Sequence, residues 1–99
     1  MNSILQVWVP NAFTPDNDGR NDYFLPIVNG ADPEDYKLLI FDRWGIEIFE
    51  SEKIDEAWIG DVLGGDYYAQ DGVYIWRIEL KKLSDGEEKV FTGHVTLIR

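Results

Sequence analysis

The residues best suited to chemistry lie between Asn11 and Asp22. There Asp16, Asp18, Asn21 and Asp22 gather four oxygen-bearing side chains around Gly19. Hard cations such as Ca²⁺ take clusters of oxygen ligands, and a glycine lets the loop close around the ion. The spacing departs from an EF-hand: counted from Asp16, glycine comes fourth and Ile27, not glutamate, stands twelfth. The same composition serves a loop that caps its own backbone amides with Asx side chains, the commoner use of such a segment. Calcium held by Asp16, Asp18, Asn21 and Asp22 and a self-capped loop are the two readings. No other cofactor is expected.

Other chemistry finds less support. A glycosidase needs two carboxyls facing each other across a sugar, one in an apolar pocket; the acids here are spread through turns and strand ends. Cysteine is absent, which removes disulfides, thiolate nucleophiles and thiolate metal sites together. His94 is the only histidine and has no nucleophile context, so an exposed strand position is expected for it. The chain reads as a non-enzyme. Trp8, Trp44, Trp58 and Trp76 could form a stacking platform for sugar rings, but large aromatics are also what a small β-sandwich uses to fill its core.

The elements that must position these residues are strands. Ile4 to Val9 alternates, with Ile4, Gln6 and Trp8 on one face and Leu5, Val7 and Val9 on the other. Pro10 to Asp22 reads as a turn-rich loop, and Tyr23 to Val28 as a short strand that Pro26 consigns to an edge. After a turn cluster from Asn29 to Asp35, Tyr36–Phe41 and Ile46–Phe49 flank the tight turn Asp42-Arg43-Trp44-Gly45, with Trp44 expected to fold back over the sheet. Glu50 to Gln70 is the least regular stretch. Val73–Leu83 and Lys89–Ile98 are the clearest strands, joined by Ser84-Asp85-Gly86-Glu87. Short strands at close spacing with Gly, Pro and Asx turns predict an all-β fold, an antiparallel immunoglobulin-like β-sandwich of about seven strands.

Size and charge narrow the roles. Ninety-nine residues make one small domain, with residues 1–3 as linker, and leave no room for a two-domain cleft. Nine basic against nineteen acidic residues give a net charge of −10, which repels phosphate backbones and anionic lipid and sets nucleic acid aside as a partner. No apolar run approaches the roughly 18 residues of a membrane helix, so no transmembrane segment is expected. The first residues carry no basic stretch leading into an apolar segment. Either a cytosolic protein or a piece of a longer exported chain fits these numbers.

An ordered series of motifs chooses between them. Val9-Pro10-Asn11-Ala12-Phe13-Thr14-Pro15 is followed by Asp18-Gly19-Arg20-Asn21-Asp22, then Ile40-Phe41-Asp42-Arg43-Trp44-Gly45. Ile48-Phe49-Glu50-Ser51, Trp58-Ile59-Gly60, Asp71-Gly72-Val73-Tyr74 and Gly93-His94-Val95-Thr96-Leu97-Ile98-Arg99 complete it. From about Ile4 to Arg99 the chain resembles the gliding-motility-associated C-terminal domain, the type B sorting domain of the type IX secretion system.

The resemblance implies a secretion signal and not an enzyme. Such a domain directs an attached N-terminal cargo from the periplasm across the outer membrane of a Gram-negative bacterium, to the cell surface or beyond. Its implied partners are the outer-membrane translocon and accessory proteins of the secretion system, and a signal peptide would lie far upstream in the parent chain. Turns and strand edges keep main-chain groups unpaired and are natural surfaces for a protein partner to read. Candidate recognition residues are therefore Asn11, Phe13, Asp18, Gly19, Asn21 and Asp22 in the first loop, and Arg43, Trp44 and Gly45 in the tight turn. Gly93, Val95, Thr96, Leu97 and Arg99 in the last strand complete the set, with Phe13, Val95 and Leu97 expected to serve the fold. The rival expectation is a stand-alone adhesive or glycan-binding sandwich of a cell-surface protein.

Overall fold

A computed structural model describes residues 5–14, 23–60 and 69–98. Seven strands run through them: β1 (Gln6–Trp8), β2 (Ala12–Phe13), β3 (Ile27–Asn29), β4 (Lys37–Phe41), β5 (Glu47–Ser51), β6 (Gly72–Lys81) and β7 (Glu88–Leu97). A five-stranded sheet in the order β2-β7-β6-β4-β5 accompanies a two-stranded sheet, β1-β3. The all-β, immunoglobulin-like sandwich read from the sequence is the fold.

The long strands follow from alternation. On β6, Tyr74, Trp76, Ile78 and Leu80 are buried while Val73, Ile75 and Arg77 face water, the period of two that a half-buried sheet requires. β7 pairs with β6 from Gly72↔Leu97 to Lys81↔Glu88 without a register shift, and buries Val95 and Leu97 on the same face. The connection runs through Lys82–Glu87, where Gly86 takes a φ of 72° that side chains disfavour. Between β4 and β5 the register shifts at Ile40/Phe41; this bulge lets the consecutive residues Ile48 and Phe49 both be buried. Ser51, the buried polar residue of β5, bonds through Oγ to the Glu56 carboxylate and to the Lys53 main chain, which offsets its desolvation.

The N-terminal third departs from the expectation after Pro10. Leu5, Val7 and Val9 pack against the core and Gln6 and Trp8 face out, as the alternation predicts. The segment after Pro10, however, is not all loop. Ala12 and Phe13 form a two-residue strand parallel to the end of β7, with Ala12↔Thr96 and Phe13↔Leu97 in register. Thr96 N–H donates to the Asn11 carbonyl (2.9 Å) and Ile98 N–H to the Phe13 carbonyl (3.1 Å). Among the described residues the sandwich is thus antiparallel except at this pair. Two residues are too few to carry a periodicity; burial of the Phe13 ring draws the chain from one sheet to the other.

Trp58 belongs to the core although its neighbours form no long strand. Its N–H donates to the Phe24 carbonyl (2.9 Å) and the Phe24 N–H donates to its own (2.8 Å). The indole is fully buried, 5.2 Å from Phe13 and 5.3 Å edge-on from Tyr74 between ring centroids. Phe24 and Phe49 extend the cluster at 6.2 Å from Phe13 and 6.4 Å from Trp58. Each such aromatic pair contributes about 0.5–1.5 kcal/mol beyond its buried area. β3 begins at Ile27, later than the Tyr23–Val28 strand read from the sequence, because Phe24 is already committed to this bridge and Pro26 has no N–H to donate.

Candidate functional site

The turn between β4 and β5 is the most fully built surface feature. One carboxylate oxygen of Asp42 accepts the N–H groups of Trp44 and Ile46, both at 2.9 Å. The Asp42 main chain pairs with Ile46 (2.9 Å) and accepts the Gly45 N–H (3.0 Å). Gly45 sits at φ 83°, with open space where a side chain would begin. Its need is conformational, not steric. Asp at the head of a turn and glycine at its left-handed corner are the residues such a geometry selects.

This frame holds Arg43 over Trp44, guanidinium carbon to ring centroid 4.4 Å. Trp44 remains 73% exposed. It does not fold back over the sheet as expected: the Arg43 cation covers one face of its indole and the turn amides fix its backbone. Ile46 is exposed beside it, and a cleft of about 80 Å³ separates the turn from Gln70–Tyr74. Arginine and tryptophan are the residue types enriched where protein partners bind tightly.

The last strand plays a different part. Val95 and Leu97 are fully buried and Gly93 lies beneath the Trp76 ring. Thr96 is half-buried and tied to Asn11, which is exposed at its side chain. Phe13 is in the aromatic cluster. His94 is exposed, as read from the sequence. The structure therefore separates surface candidates, Asn11, Arg43, Trp44 and Gly45, from residues whose side chains serve packing. Asp16, Asp18, Gly19, Asn21, Asp22 and Arg99, and with them the calcium candidates, lie outside the described residues.

Two features escaped the sequence reading. At the far end of the sheet a groove of about 460 Å³ runs past Tyr36, Lys37, Glu79, Lys81 and Lys89. Its rim is laced with ion pairs: Arg77–Glu79 at 2.8 Å, Lys37–Glu50 at 3.7 Å and Lys81–Asp35 at 3.9 Å. Exposed pairs of this kind contribute little individually. Tyr36 is buried there with no partner for its hydroxyl among the described residues, and burial pushes its ionisation up to about 12. A tyrosine next to a turn carries no sequence signal of this orphaned hydroxyl.

Among the described residues no group of three His, Asp or Glu is placed to hold a metal ion, and no helix is long and apolar enough to cross a membrane. Trp58 and Trp76 are buried, while Trp8 lies exposed on β1 and Trp44 on the β4–β5 turn. With two of the four rings consumed by the core, a four-ring sugar platform is not built.

No curated protein matches the chain in sequence. In structure it is similar to CopC from Methylosinus trichosporium OB3b, with a TM-score of 0.60 over 97% of this chain and 93% of that one. The identity is 16%, so the likeness is one of fold alone. The CHU_C type IX secretion signal domain family matches residues 7–97, from β1 to the end of β7. That family is a class of secretion signals and not of enzymes. Nearly the whole sandwich lies inside the match, and on that ground the chain belongs to the CHU_C type IX secretion signal domain family.

Proposed function

We propose that this domain is the sorting signal of a larger exported protein. It directs a covalently attached N-terminal cargo across the outer membrane through the type IX secretion system, from the periplasm to the cell surface or the medium. Recognition is by protein partners, the outer-membrane translocon and its accessory proteins, and involves no bond-making. The observation that carries the reading is the family match over residues 7–97, and the exposed Arg43–Trp44 pair on a rigid turn supplies a surface for it.

Arg43 and Trp44 make the central contact, and Gly45 keeps the turn that displays them. Asn11, with the first-loop residues Asp18, Gly19, Asn21 and Asp22, forms a second contact region. Phe13, Gly93, Val95, Thr96 and Leu97 support both by holding β2 against β7. A net charge of −10 favours partners whose docking surface is basic.

Export tests the reading. The 99-residue chain is fused behind a signal peptide and a reporter in a host with the secretion machinery, and reporter is assayed outside the cell. The wild-type domain is expected to deliver it, and Arg43→Ala with Trp44→Ala to leave it in the periplasm while melting like the wild type. Retention of the wild-type fusion by a competent host overturns the sorting role. Unimpaired export of the double variant overturns only the placement of the contact.

A further inference from the structure

Arg43 is a cation with a ring beside it and no acid. Among the described residues Lys37, Arg77, Lys81, Lys82 and Lys89 each pair with a carboxylate. Arg43 pairs with none, in a chain where acids outnumber bases nineteen to nine. Lys53 is the other described cation outside an ion pair, but no aromatic ring holds its ammonium. The carboxyl next to Arg43 in sequence belongs to the turn itself: one Asp42 oxygen already accepts the N–H groups of Trp44 and Ile46.

Cation–ring attraction acts on the charge of a guanidinium and does not use up its N–H donors. The fork that fits a carboxylate bidentately is therefore still open on Arg43. Its backbone is set by the Asp42 bonds and by Gly45 at φ 83°, and its head by the indole at 4.4 Å. A donor held in place this way loses less freedom when it binds than a lysine on a mobile stem. Trp44 and Ile46 are exposed beside it. Glu47 follows the turn and Asp71 stands across the cleft, both at the surface.

We propose, on the basis of the sorting role, that Arg43 receives an Asp or Glu side chain of the partner protein, set in an otherwise basic docking surface. The cation calls for the acid at the centre, and its surroundings call for the basic frame. Glu47, Asp71 and the net charge of −10 repel a partner that is acidic throughout. A partner that is basic throughout sets a like charge against Arg43 and is rejected at that point. One carboxylate among cations meets both conditions, with an apolar side chain next to it to cover Ile46 and the exposed indole. Such a pattern fixes which protein docks, and in what orientation, more than how tightly it is held.

The export assay on the whole chain tests this. Arg43→Gln removes the charge and keeps a side chain beside the ring, and is expected to lower export about tenfold. Arg43→Glu is expected to abolish it. Both variants should melt like the wild type, since Arg43 is exposed. Selection for export of the Arg43→Glu fusion is then expected to return host mutations that exchange an acid for Lys or Arg in an outer-membrane protein, and that impair export of the wild-type fusion. Suppressors of any other kind, or none, overturn the proposal. So does normal export of Arg43→Gln or Arg43→Glu while Arg43→Ala with Trp44→Ala is retained: the partner then reads the indole and not the cation, and the sorting role stands. Retention of the wild-type fusion by a competent host overturns the sorting role, and this contact with it.

Discussion

Trp76 lies across the bare backbone of Gly93, its cross-strand partner. A Cβ placed on Gly93 would come within 2.7 Å of Cε2 of the indole, closer than such atoms approach, and within a tight 3.1 Å of Nε1. The glycine is thus a packing residue: its missing side chain is the space the ring occupies. It also explains how β7 holds a glycine at mid-strand, where the residue is otherwise unfavourable.

Gly93→Ala is expected to cost about 1–3 kcal/mol by overpacking. Urea unfolding followed by tryptophan fluorescence measures it. Pairing Gly93→Ala with Trp76→Leu removes the clash, so the double variant should lose less than the two single variants together. Strict additivity would show that the ring moves aside without cost.

Trp58→Ala is expected to be the most damaging single change, at about 3–5 kcal/mol. It empties the centre of the aromatic cluster and loosens the bridge to Phe24 at once. Trp58→Phe should recover most of the loss. Thermal melts of both check the ranking.

Asp42→Ala removes the acceptor for two turn amides and is expected to cost about 1–2 kcal/mol. It should also free Trp44 from its place under Arg43, which fluorescence anisotropy of Trp44, in a background where the other tryptophans are phenylalanine, would detect. An unchanged anisotropy would mean that the Arg43 stack alone orders the ring.

Tyr36 makes stability fall at alkaline pH. Its phenol ordinarily ionises near 10 and is pushed up to about 12 by burial, so the unfolded chain releases that proton first. The stabilisation is complete below about pH 10 and is lost as pH rises through about 12. Tyr36→Phe deletes a hydroxyl that has no partner among the described residues; it should be neutral or stabilising by up to about 1 kcal/mol and should flatten the alkaline decline. Unfolding midpoints across this range, compared between the two chains, read the difference with the lysine contribution common to both.

What was legible in the sequence depended on length and locality. Strands β6 and β7 run ten residues each, long enough for their strand-forming residues to mark them as Val73–Leu83 and Lys89–Ile98, within two residues of their ends. The Asp42-to-Gly45 turn was equally plain, since Asp and Gly each have a local conformational reason to be there. The direction of the Trp44 ring was not, because it depends on a cation–ring contact that the turn type leaves open. β2 escaped because two residues carry no period, and its partner lies at the other end of the chain. Trp58 sits in a stretch without pattern and is fixed by Phe24, far away in sequence. The family motifs marked Phe13, Trp58 and Gly93 together as a series, while only packing explains that Phe13 touches Trp58 and that Gly93 makes room for Trp76.

The pairing of β2 with the end of β7 has a consequence for folding order. Ala12 and Thr96 are 84 positions apart, so the seat that receives Phe13 does not exist until the chain has been released through β7. Closing so long a loop is slow compared with forming the β6–β7 hairpin, which joins near neighbours. The hairpin can assemble early, but the aromatic cluster around Trp58 is completed only when residues 96–98 capture the segment from Asn11 to Phe13. Folding of this domain therefore reports that synthesis has reached its last strand, and loss of even those few residues should leave both ends of the sandwich open together.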